Sequence, residues 1–267
     1  MAEKETRNNP KDLIEATPEE LEKLKKEEAK DIEKGKEFSL IVDRKAVAEK
    51  EAKENRLAAW APKTQVGKDV KSGKEKNIDD ILESGKKILE QEIVDTLLHL
   101  ETDLFEIGQA KGKFGGGKRR AWRQTQRKTM EGNVVSFSAM AVVGDRNGHV
   151  GIGVGKGKET LPAREKAFRQ AKLSIQKVER GCGNFDCSCN EMHSLPFIVE
   201  GKCGSVRIKL MPAPQGTGLV VGDELKKLLK LAGVKDVYGV TRGQTRTTFN
   251  AVKACFSALL KTSEIKR

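Results

Sequence analysis

The pattern of apolar and polar residues is clearest at the centre of the chain, over residues 134–157. The stretch VVSFSAMAVVGD (134–145) is rich in Val and contains Phe, which favours a β-strand. A turn cluster at residues 144–148 contains an Asn-Gly pair, and residues 149–157 then alternate Gly with Val or Ile. These features predict a β-hairpin whose second strand has a bare glycine face, which favours close approach of a helix or another backbone.

A helix is predicted directly after this hairpin, at residues 159–178. Its apolar residues fall on one stripe: Ala163, Ala167, Phe168, Ala171 and Ile175. Most of its Lys and Arg residues lie off that stripe. A sheet and a helix that bury one side and present basic groups on the other are typical of a double-stranded-RNA-binding module, which recognises RNA by shape and phosphates.

The C-terminal part of the chain begins with two more predicted strands. Residues 196–210 indicate a pair joined near residues 201–204, in which Arg207 and Lys209 alternate with apolar positions. The alternation predicts one basic face and one buried face. A Pro- and Gly-rich loop follows at residues 211–223.

Two helices and one strand complete this part. A helix is predicted at residues 224–231, capped by Asp223 and stopped by Gly233. Residues 234–240 predict a short strand. The last helix has its apolar stripe at Phe249, Val252, Phe256 and Leu260. The order of two strands, helix, strand and helix predicts a small α/β layer separate from the first domain.

The segments before the central hairpin are polar and contain few apolar residues. Residues 1–56 alternate in charge sign, and the TPEE segment at residues 17–20 is a good helix start. A solvated helix and a mobile or partner-dependent tail both remain open there. Residues 60–73 are marked by Pro and Gly, which predicts a loop or arm. Short amphipathic helices are predicted at residues 77–85 and 90–100.

Charge divides the 267 residues into two parts. Residues 1–60 carry 14 Lys and Arg against 16 Asp and Glu, so the net charge of +12 comes from the remainder, at +14. Such clustering indicates a polyanionic partner rather than solubility alone. The chain has no run of 18 apolar residues and no apolar segment near its charged N terminus. We therefore expect a cytoplasmic protein with no membrane span and no secretory signal.

The most basic segment, residues 111–128, holds eight Lys and Arg residues, no acid, and Trp122. Basic groups beside an aromatic ring predict phosphate contacts and one stacking platform. A basic loop that is disordered when free, and that could still order on RNA, is the alternative. Residues 112–119 approach a phosphate-binding P-loop, but Arg119 stands where Ser or Thr must hold magnesium. Residues 151–157 lack the dinucleotide-binding spacing, so we expect neither kind of nucleotide site.

Three of the five cysteines cluster within eight residues, which argues against a secreted disulfide framework. The cluster forms a C-x4-C-x-C-x3-H motif with Cys182, Cys187, Cys189 and His193. Four such ligands can surround one tetrahedral zinc ion in a structural role, and they leave no open position for chemistry. Reduced thiols in a structural loop are the alternative. The other two cysteines, Cys203 and Cys255, are expected to be small buried hydrophobes.

Two stretches, residues 136–159 and 199–259, resemble the small-subunit ribosomal protein S-five family. The match runs from roughly residue 88 to residue 260, and the cysteine loop resembles that of archaeal members. The resemblance implies a structural protein of the small ribosomal subunit that binds rRNA, lies near the mRNA path and contributes to translational accuracy. Its implied neighbours are the equivalents of proteins S-three, S-four and S-eight. It implies no enzymatic activity, membrane contact or small-molecule substrate.

The expected fold class is α+β: a double-stranded-RNA-binding-like α-β-β-β-α domain and a small α/β domain, with a charged helical N-terminal extension. The expected boundaries are an extension at 1–59, an arm with helices at 60–110, the first domain at 111–181, a Cys/His linker at 182–193 and the second domain at 194–267. Some small-molecule kinases share the second-domain fold. A phosphotransferase is therefore one rival hypothesis, although no serine-rich phosphate loop accompanies the second-domain hairpin. A free RNA-binding regulator that uses the first domain is the other.

The expected rRNA contacts are basic residues beside glycines or turns, with Trp122 as the stacking residue. The basic residues are Lys111, Lys113, Lys118, Arg119, Arg120, Arg123, Arg127, Lys128, Arg146, Lys156, Lys158, Arg164, Arg207, Arg242 and Arg246. Each is chosen for its charge and predicted exposure, because phosphate contacts dominate RNA affinity.

Overall fold

The computed structural model describes residues 55–109, 119–189 and 191–264. The chain divides into two compact units, Met1–Trp60 and Ala61–Arg267, and the second unit contains both sheets. Within the first unit, residues 55–58 are helical. The helix start predicted at residues 17–20 lies outside the described residues, as do the predicted contacts Lys111, Lys113 and Lys118.

Three short helices precede the first sheet: α1 at Gln65–Lys71, α2 at Ile78–Glu83 and α3 at Gln91–Leu97. The loop predicted for residues 60–73 is wrong at α1, because Thr64 caps this helix. The Thr64 Oγ1 atom accepts a hydrogen bond of 3.1 Å from the Gly67 N–H. The Glu90 Oε1 atom supports the same turn by accepting from the N–H groups of Lys63 (2.9 Å) and Thr64 (2.7 Å). Helices α2 and α3 lie where helices were predicted.

The first sheet has five antiparallel strands: β1 at Glu101–Leu104, β2 at Trp122–Thr129, β3 at Gly132–Gly144, β4 at His149–Gly157 and β5 at Gln176–Lys177. The strand order is β1-β3-β4-β5, and β2 also pairs with β3. Strand β1 pairs with the C-terminal end of β3 and β2 with its N-terminal part, so β1 and β2 lie end to end along one edge of β3. The β3–β4 hairpin confirms the prediction from residues 134–157.

Strand β2 excludes the disordered-loop alternative for residues 122–128, the part of the basic segment that lies on the strand. It pairs with β3 over eight residues, from Trp122 opposite Ala139 to Thr129 opposite Gly132. These ladder hydrogen bonds hold one side of its backbone on β3, although six of its eight side chains are exposed. An edge strand with both faces in solvent needs no apolar alternation, which is why the sequence pattern does not reveal it.

The helix after the hairpin, α4 at Thr160–Leu173, packs closely on the glycine face of β4. A Cβ atom built on Gly151, Gly153 or Gly155 would lie 2.0–2.2 Å from a backbone carbonyl of α4, so only glycine fits. This confirms the close approach predicted from sequence. The helix is shorter than the predicted 159–178, because Ser174 ends it and bonds through Oγ to the Ile152 carbonyl.

The second sheet has four strands: β6 at Val199–Cys203, β7 at Val206–Pro212, β8 at Leu219–Val220 and β9 at Val237–Arg242. Its order is β6-β7-β9-β8, and only the β8–β9 pair is parallel among these strands. Its helices are α5 at Asp223–Leu231 and α6 at Thr248–Glu264. Asp223 is the first residue of α5 rather than its cap; the cap position is Gly222, and no side chain bonds there.

Helix α6 covers the inner face of the second sheet through small residues. Ala254, Cys255, Ala258 and Leu259 are buried, whereas Phe249 and Phe256 are only partly buried, so the stripe predicted for this helix is wrong in part. The close approach of Gly201 to the Ala254 carbonyl explains the difference, because a bulky residue on that face would separate helix and sheet.

The two sheets share one hydrophobic core. Met140 and Val142 of β3 belong to the same buried cluster as Leu210 of β7, Leu228 of α5 and Leu259 of α6. The observed architecture is α+β with two sheets and mixed helices, as predicted. Among the described residues, no helix is long and apolar enough to cross a membrane.

Candidate nucleic-acid interface and metal centre

Strand β2 forms a basic edge of the first sheet. Arg123, Arg127 and Lys128 are exposed on the strand, and Arg119 is exposed just before it. None of these cations forms an ion pair with a described residue. Such cations are free to contact phosphates, and they also keep the edge from pairing with another strand.

A groove of about 610 Å³ lies beside this edge. Arg120, Trp122 and Arg123 line it from the β2 side, and Arg246 lines it together with Phe249 from the start of α6. The structure thus brings together predicted contact residues from both predicted domains. Guanidinium groups suit phosphate oxygens because they donate two parallel hydrogen bonds. The side chains of Gln124, Thr125 and Gln126 add neutral donors and acceptors to the same wall.

Trp122 also organises the cations around it. The Arg164 guanidinium of α4 lies 4.9 Å from the centre of the Trp122 ring, and the Arg120 guanidinium lies 5.9 Å from it. Both distances are within the range of a cation–π interaction. The Arg164 Nε atom is buried and has no hydrogen-bond partner in the described part of the chain. Trp122 therefore lines the groove and also contacts Arg164 of α4.

A second group of cations crosses the outer face of the second sheet. Lys202, Arg207 and Arg242 lie opposite one another on β6, β7 and β9, and all three are exposed. Like charges directly opposite on neighbouring strands are destabilising, which favours an anionic partner on this face. The sequence analysis includes Arg207 and Arg242 among the expected rRNA contacts but omits Lys202. The pattern that could have revealed Lys202 is its alternation with the buried residues Val199 and Gly201 on β6.

The remaining predicted contacts lie apart from the groove. Lys156 and Lys158 are exposed at the end of β4 and just after it. Arg146 lies in the β3–β4 turn with a left-handed φ of 60°, and its Nη2 atom is 2.6 Å from the Glu101 carboxylate. Its charge is therefore partly neutralised within the chain, unlike the charges on β2.

The four residues of the cysteine motif converge. Their ligand atoms all lie within 4.8 Å of one another. The Cys189 and Cys182 Sγ atoms are 3.7 Å apart, and Cys187 Sγ is 3.7 Å from His193 Nε2. Tetrahedral zinc with Zn–S bonds of about 2.3 Å needs sulfur atoms about 3.8 Å apart, so both spacings suit this metal. The Cys187 and Cys189 sulfur atoms, at 3.0 Å, would need to separate slightly.

The surroundings fix the histidine more firmly than the thiols. His193 is 1% exposed, and its Nδ1 atom lies 2.8 Å from the Asp236 Oδ2 atom, whereas the three cysteines are half-buried. A hydrogen bond from the Cys189 thiol lowers the pKa of Cys187 to about 6, with help from the Cys189 and Gln215 N–H groups. The same thiol–thiol bond raises the pKa of Cys189 to about 11.

Comparison with known proteins agrees with this architecture. The family model for the ribosomal protein S5 N-terminal domain matches residues 108–179, and that for its C-terminal domain matches residues 201–267. The small ribosomal subunit protein uS5 of Nanoarchaeum equitans is 49% identical over 211 residues, which cover 79% of this chain and 90% of the relative. The chain belongs to the ribosomal protein S5 family. The Cys/His loop lies between the two matched regions of this family member.

Two further S5 relatives show the same extent of similarity. The uS5 protein of Methanoregula boonei is 47% identical over 78% of this chain and 95% of its own length. The uS5 protein of Pyrobaculum calidifontis is 46% identical over 79% of this chain and 97% of its own length. These archaeal relatives confirm the family predicted from sequence.

One partly buried charge cluster of this S5 family member was missed by sequence reasoning. The His149 ring bonds to two carboxylates: Nδ1 lies 2.6 Å from Asp145 Oδ2 and Nε2 lies 2.8 Å from Asp79 Oδ1. Lys177 of β5 also pairs with Asp79, at 3.1 Å. The hydrogen bond to Asp145 is the main cause that raises the pKa of His149. The cluster ties α2 to the β3–β4 turn, and nothing local in the sequence marks a pair 70 residues apart.

Proposed function

We propose that this chain is a structural component of the small ribosomal subunit that binds small-subunit rRNA. The observation that carries the proposal is the groove, where Arg120, Arg123 and Arg246 meet beside Trp122. The cations of the groove come from both matched regions of the S5 family, so the groove exists only when the whole unit Ala61–Arg267 is folded. The name of the archaeal relatives, small ribosomal subunit protein uS5, supports the same assembly.

The remaining contacts extend this interface. Arg119, Arg127 and Lys128 continue the basic edge of β2, and Arg207 and Arg242 provide the row on the second sheet. These basic side chains contact phosphates rather than base edges, because they are solvent-exposed cations on rigid strands. In this role the protein holds rRNA geometry and performs no bond-breaking step.

The resemblance to the family supplies the rest of the assignment. The protein lies near the mRNA path, next to the equivalents of proteins S-three, S-four and S-eight, and contributes to translational accuracy. It works in the cytoplasm as part of the ribosome. Accuracy follows from geometry, since a rigid protein that fixes the rRNA limits the conformations available during decoding.

Salt dependence of rRNA binding tests the groove. Replacement of Arg120, Arg123 and Arg246 by Ala removes three phosphate contacts, and we expect the slope of log K against log salt to fall by about one per contact. The control is the triple variant of three exposed lysines on the segment before the first sheet: Lys68, Lys76 and Lys87. Both variants change the net charge equally.

Two results would contradict the groove proposal. Equal slopes for the two triple variants would show that net charge, not the groove, governs binding. Sedimentation of cell lysate at moderate salt is the second check, because a structural component stays with the small subunit. A chain found wholly off the subunits would favour a free RNA-binding regulator instead.

We also propose that Cys182, Cys187, Cys189 and His193 hold one structural zinc ion. The support is the convergence of three soft ligands and one imidazole within 4.8 Å, in a loop between the two sheets. A bound ion would cross-link a segment of the chain that has no regular strand or helix from residue 182 to residue 189.

Metal analysis tests the zinc site. Elemental analysis of purified protein should give one zinc per chain, and Cys187→Ser should lower occupancy and midpoint of thermal unfolding together. Cys203→Ser serves as the matched control, because Cys203 lies on β6 outside the cluster. Absence of stoichiometric zinc from the wild-type chain would end this proposal and leave the rRNA proposal untouched.

A further inference from the structure

Asp236 is a buried carboxylate whose position the zinc proposal does not explain. It is 4% exposed and immediately precedes β9, 43 residues beyond the histidine it contacts. Burial of an aspartate is costly unless both of its oxygens are satisfied. Here they are: Oδ2 lies 2.8 Å from His193 Nδ1, and Oδ1 accepts a 2.7 Å hydrogen bond from the Gly218 N–H.

The contact with His193 decides which ring nitrogen can reach a metal. A carboxylate oxygen accepts, so His193 must carry its proton on Nδ1 to donate to Asp236. The lone pair then resides on Nε2, the atom that lies 3.7 Å from Cys187 Sγ. The backbone strengthens this placement, because the His193 carbonyl accepts from the N–H groups of Lys235 (2.8 Å) and Asp236 (3.1 Å).

The second carboxylate oxygen of Asp236 links the Cys/His cluster to the loop between β7 and β8. Gly218 belongs to this loop and has a left-handed φ of 73°, so its N–H is aimed by a conformation that favours glycine. The Gln215 N–H of the same loop donates a hydrogen bond to the Cys187 sulfur. One carboxylate thus fixes the imidazole and the loop that borders the thiols.

We propose that Asp236 is the positioning residue of the metal centre: it holds His193 in its Nε2-ligating tautomer and ties the centre to the Gly218 loop. This inference rests on the proposed zinc site. Carboxylates that orient a ligating histidine commonly raise metal affinity by about 10–100-fold. Asp236 therefore places a determinant of metal affinity just before β9 of the second sheet, outside the cysteine loop itself.

The test is the zinc affinity of Asp236→Asn in the full chain, measured by competition with a chromogenic chelator. Asparagine keeps the shape but has one acceptor oxygen and one NH2 group, so it cannot accept from both His193 and Gly218. We expect the zinc Kd to rise about 10–100-fold while the stoichiometry stays at one. The Co²⁺-loaded variant should also show a shifted d–d absorption, because the imidazole is no longer held in one orientation.

Ser194→Ala is the matched control. Ser194 is fully buried, and its Oγ donates to the Asp236 carbonyl and accepts from the Ala213 N–H rather than bonding to the Asp236 carboxylate that holds the imidazole. We expect this variant to lower the midpoint of thermal unfolding while its Co²⁺ spectrum and zinc Kd stay at wild-type values. A matching loss of affinity in both variants would show a general effect of destabilisation and overturn the proposal.

NMR of the wild-type chain keeps the proposal testable if Asp236→Asn does not fold. Long-range ¹H–¹⁵N spectra of the zinc-loaded protein should show His193 protonated at Nδ1 and bound through Nε2. Protonation at Nε2 would overturn the role of Asp236 while the zinc site stood. A wild-type chain that binds no zinc would overturn both, so the two failures are distinguishable.

Discussion

The contact between the glycine face of β4 and α4 gives the sharpest prediction of stability. Gly153 lies at the centre of this face, and a Cβ built on it would be 2.2 Å from both the Ala167 carbonyl oxygen and the Ala171 nitrogen. Ordinary contacts begin near 3.4 Å, so Gly153→Ser requires α4 to move by about 1.2 Å. Neither neighbour can rotate away, because both are backbone atoms of a helix.

The cost follows from this displacement. Overpacking a well-packed core costs about 1–3 kcal/mol, and a backbone clash places Gly153→Ser at the upper end, about 3 kcal/mol. For a folded unit of this size, each kcal/mol lowers the midpoint of thermal unfolding by about 2–4 °C, so we expect a fall of about 6–12 °C. Far-UV circular dichroism of the two proteins during heating measures it.

A second glycine supplies the matched control. A Cβ on Gly222 meets no atom within 4 Å, and its φ of −61° is ordinary for any residue. Gly222 also occupies the cap position of α5, where serine is favoured, so Gly222→Ser should leave stability unchanged or raise it slightly. If Gly153→Ser unfolds at the same temperature as Gly222→Ser, the helix does not lie on bare backbone and the reasoning fails.

Two further predictions concern titration. The pKa of His149 is raised above its ordinary value, chiefly by its bond to Asp145. Its protonated form therefore stabilises the fold below about pH 6.5, and the contribution is lost as pH rises through the raised pKa. His149→Gln should remove this dependence in denaturation at a series of pH values, and identical curves for both proteins would contradict it. Burial raises the pKa of Cys255 to about 12, so the native chain should resist iodoacetamide there while the unfolded chain reacts. Mass spectrometry measures the rate of modification. If Cys255 reacted as fast in the native chain as in the unfolded chain, the predicted protection would be refuted.

The sequence reveals those elements in which apolar and polar side chains repeat with the period of a strand or a helix. The β3–β4 hairpin and the helix behind it follow from alternating glycine and an apolar stripe. The hairpin lies where predicted, and the helix begins there but ends earlier, at Leu173. Strand β2 has no such period, since its polar side chains face solvent on both sides. Helix α1 depends on a single threonine cap, and β8 has only two residues, too few for any pattern.

The candidate sites divide in the same way. The cysteine motif is local, so its four candidate ligands can be read from spacing alone. The partners that complete each site are distant: Arg246 reaches the groove beside Trp122, and Asp236 reaches His193. Such pairs are fixed by tertiary packing, which no window of sequence contains. Charge composition predicts that Arg246 contacts RNA but not which residues it stands beside.

The continuous core between the two sheets has a mechanical consequence. With Met140 of β3 and Leu228 of α5 in one apolar cluster, the second unit offers no plane along which one sheet can slide past the other. Within the described residues, a load applied at the basic edge would pass through this shared apolar interior to the strands of both sheets. Anchorage points on separate strands are therefore linked by packed side chains.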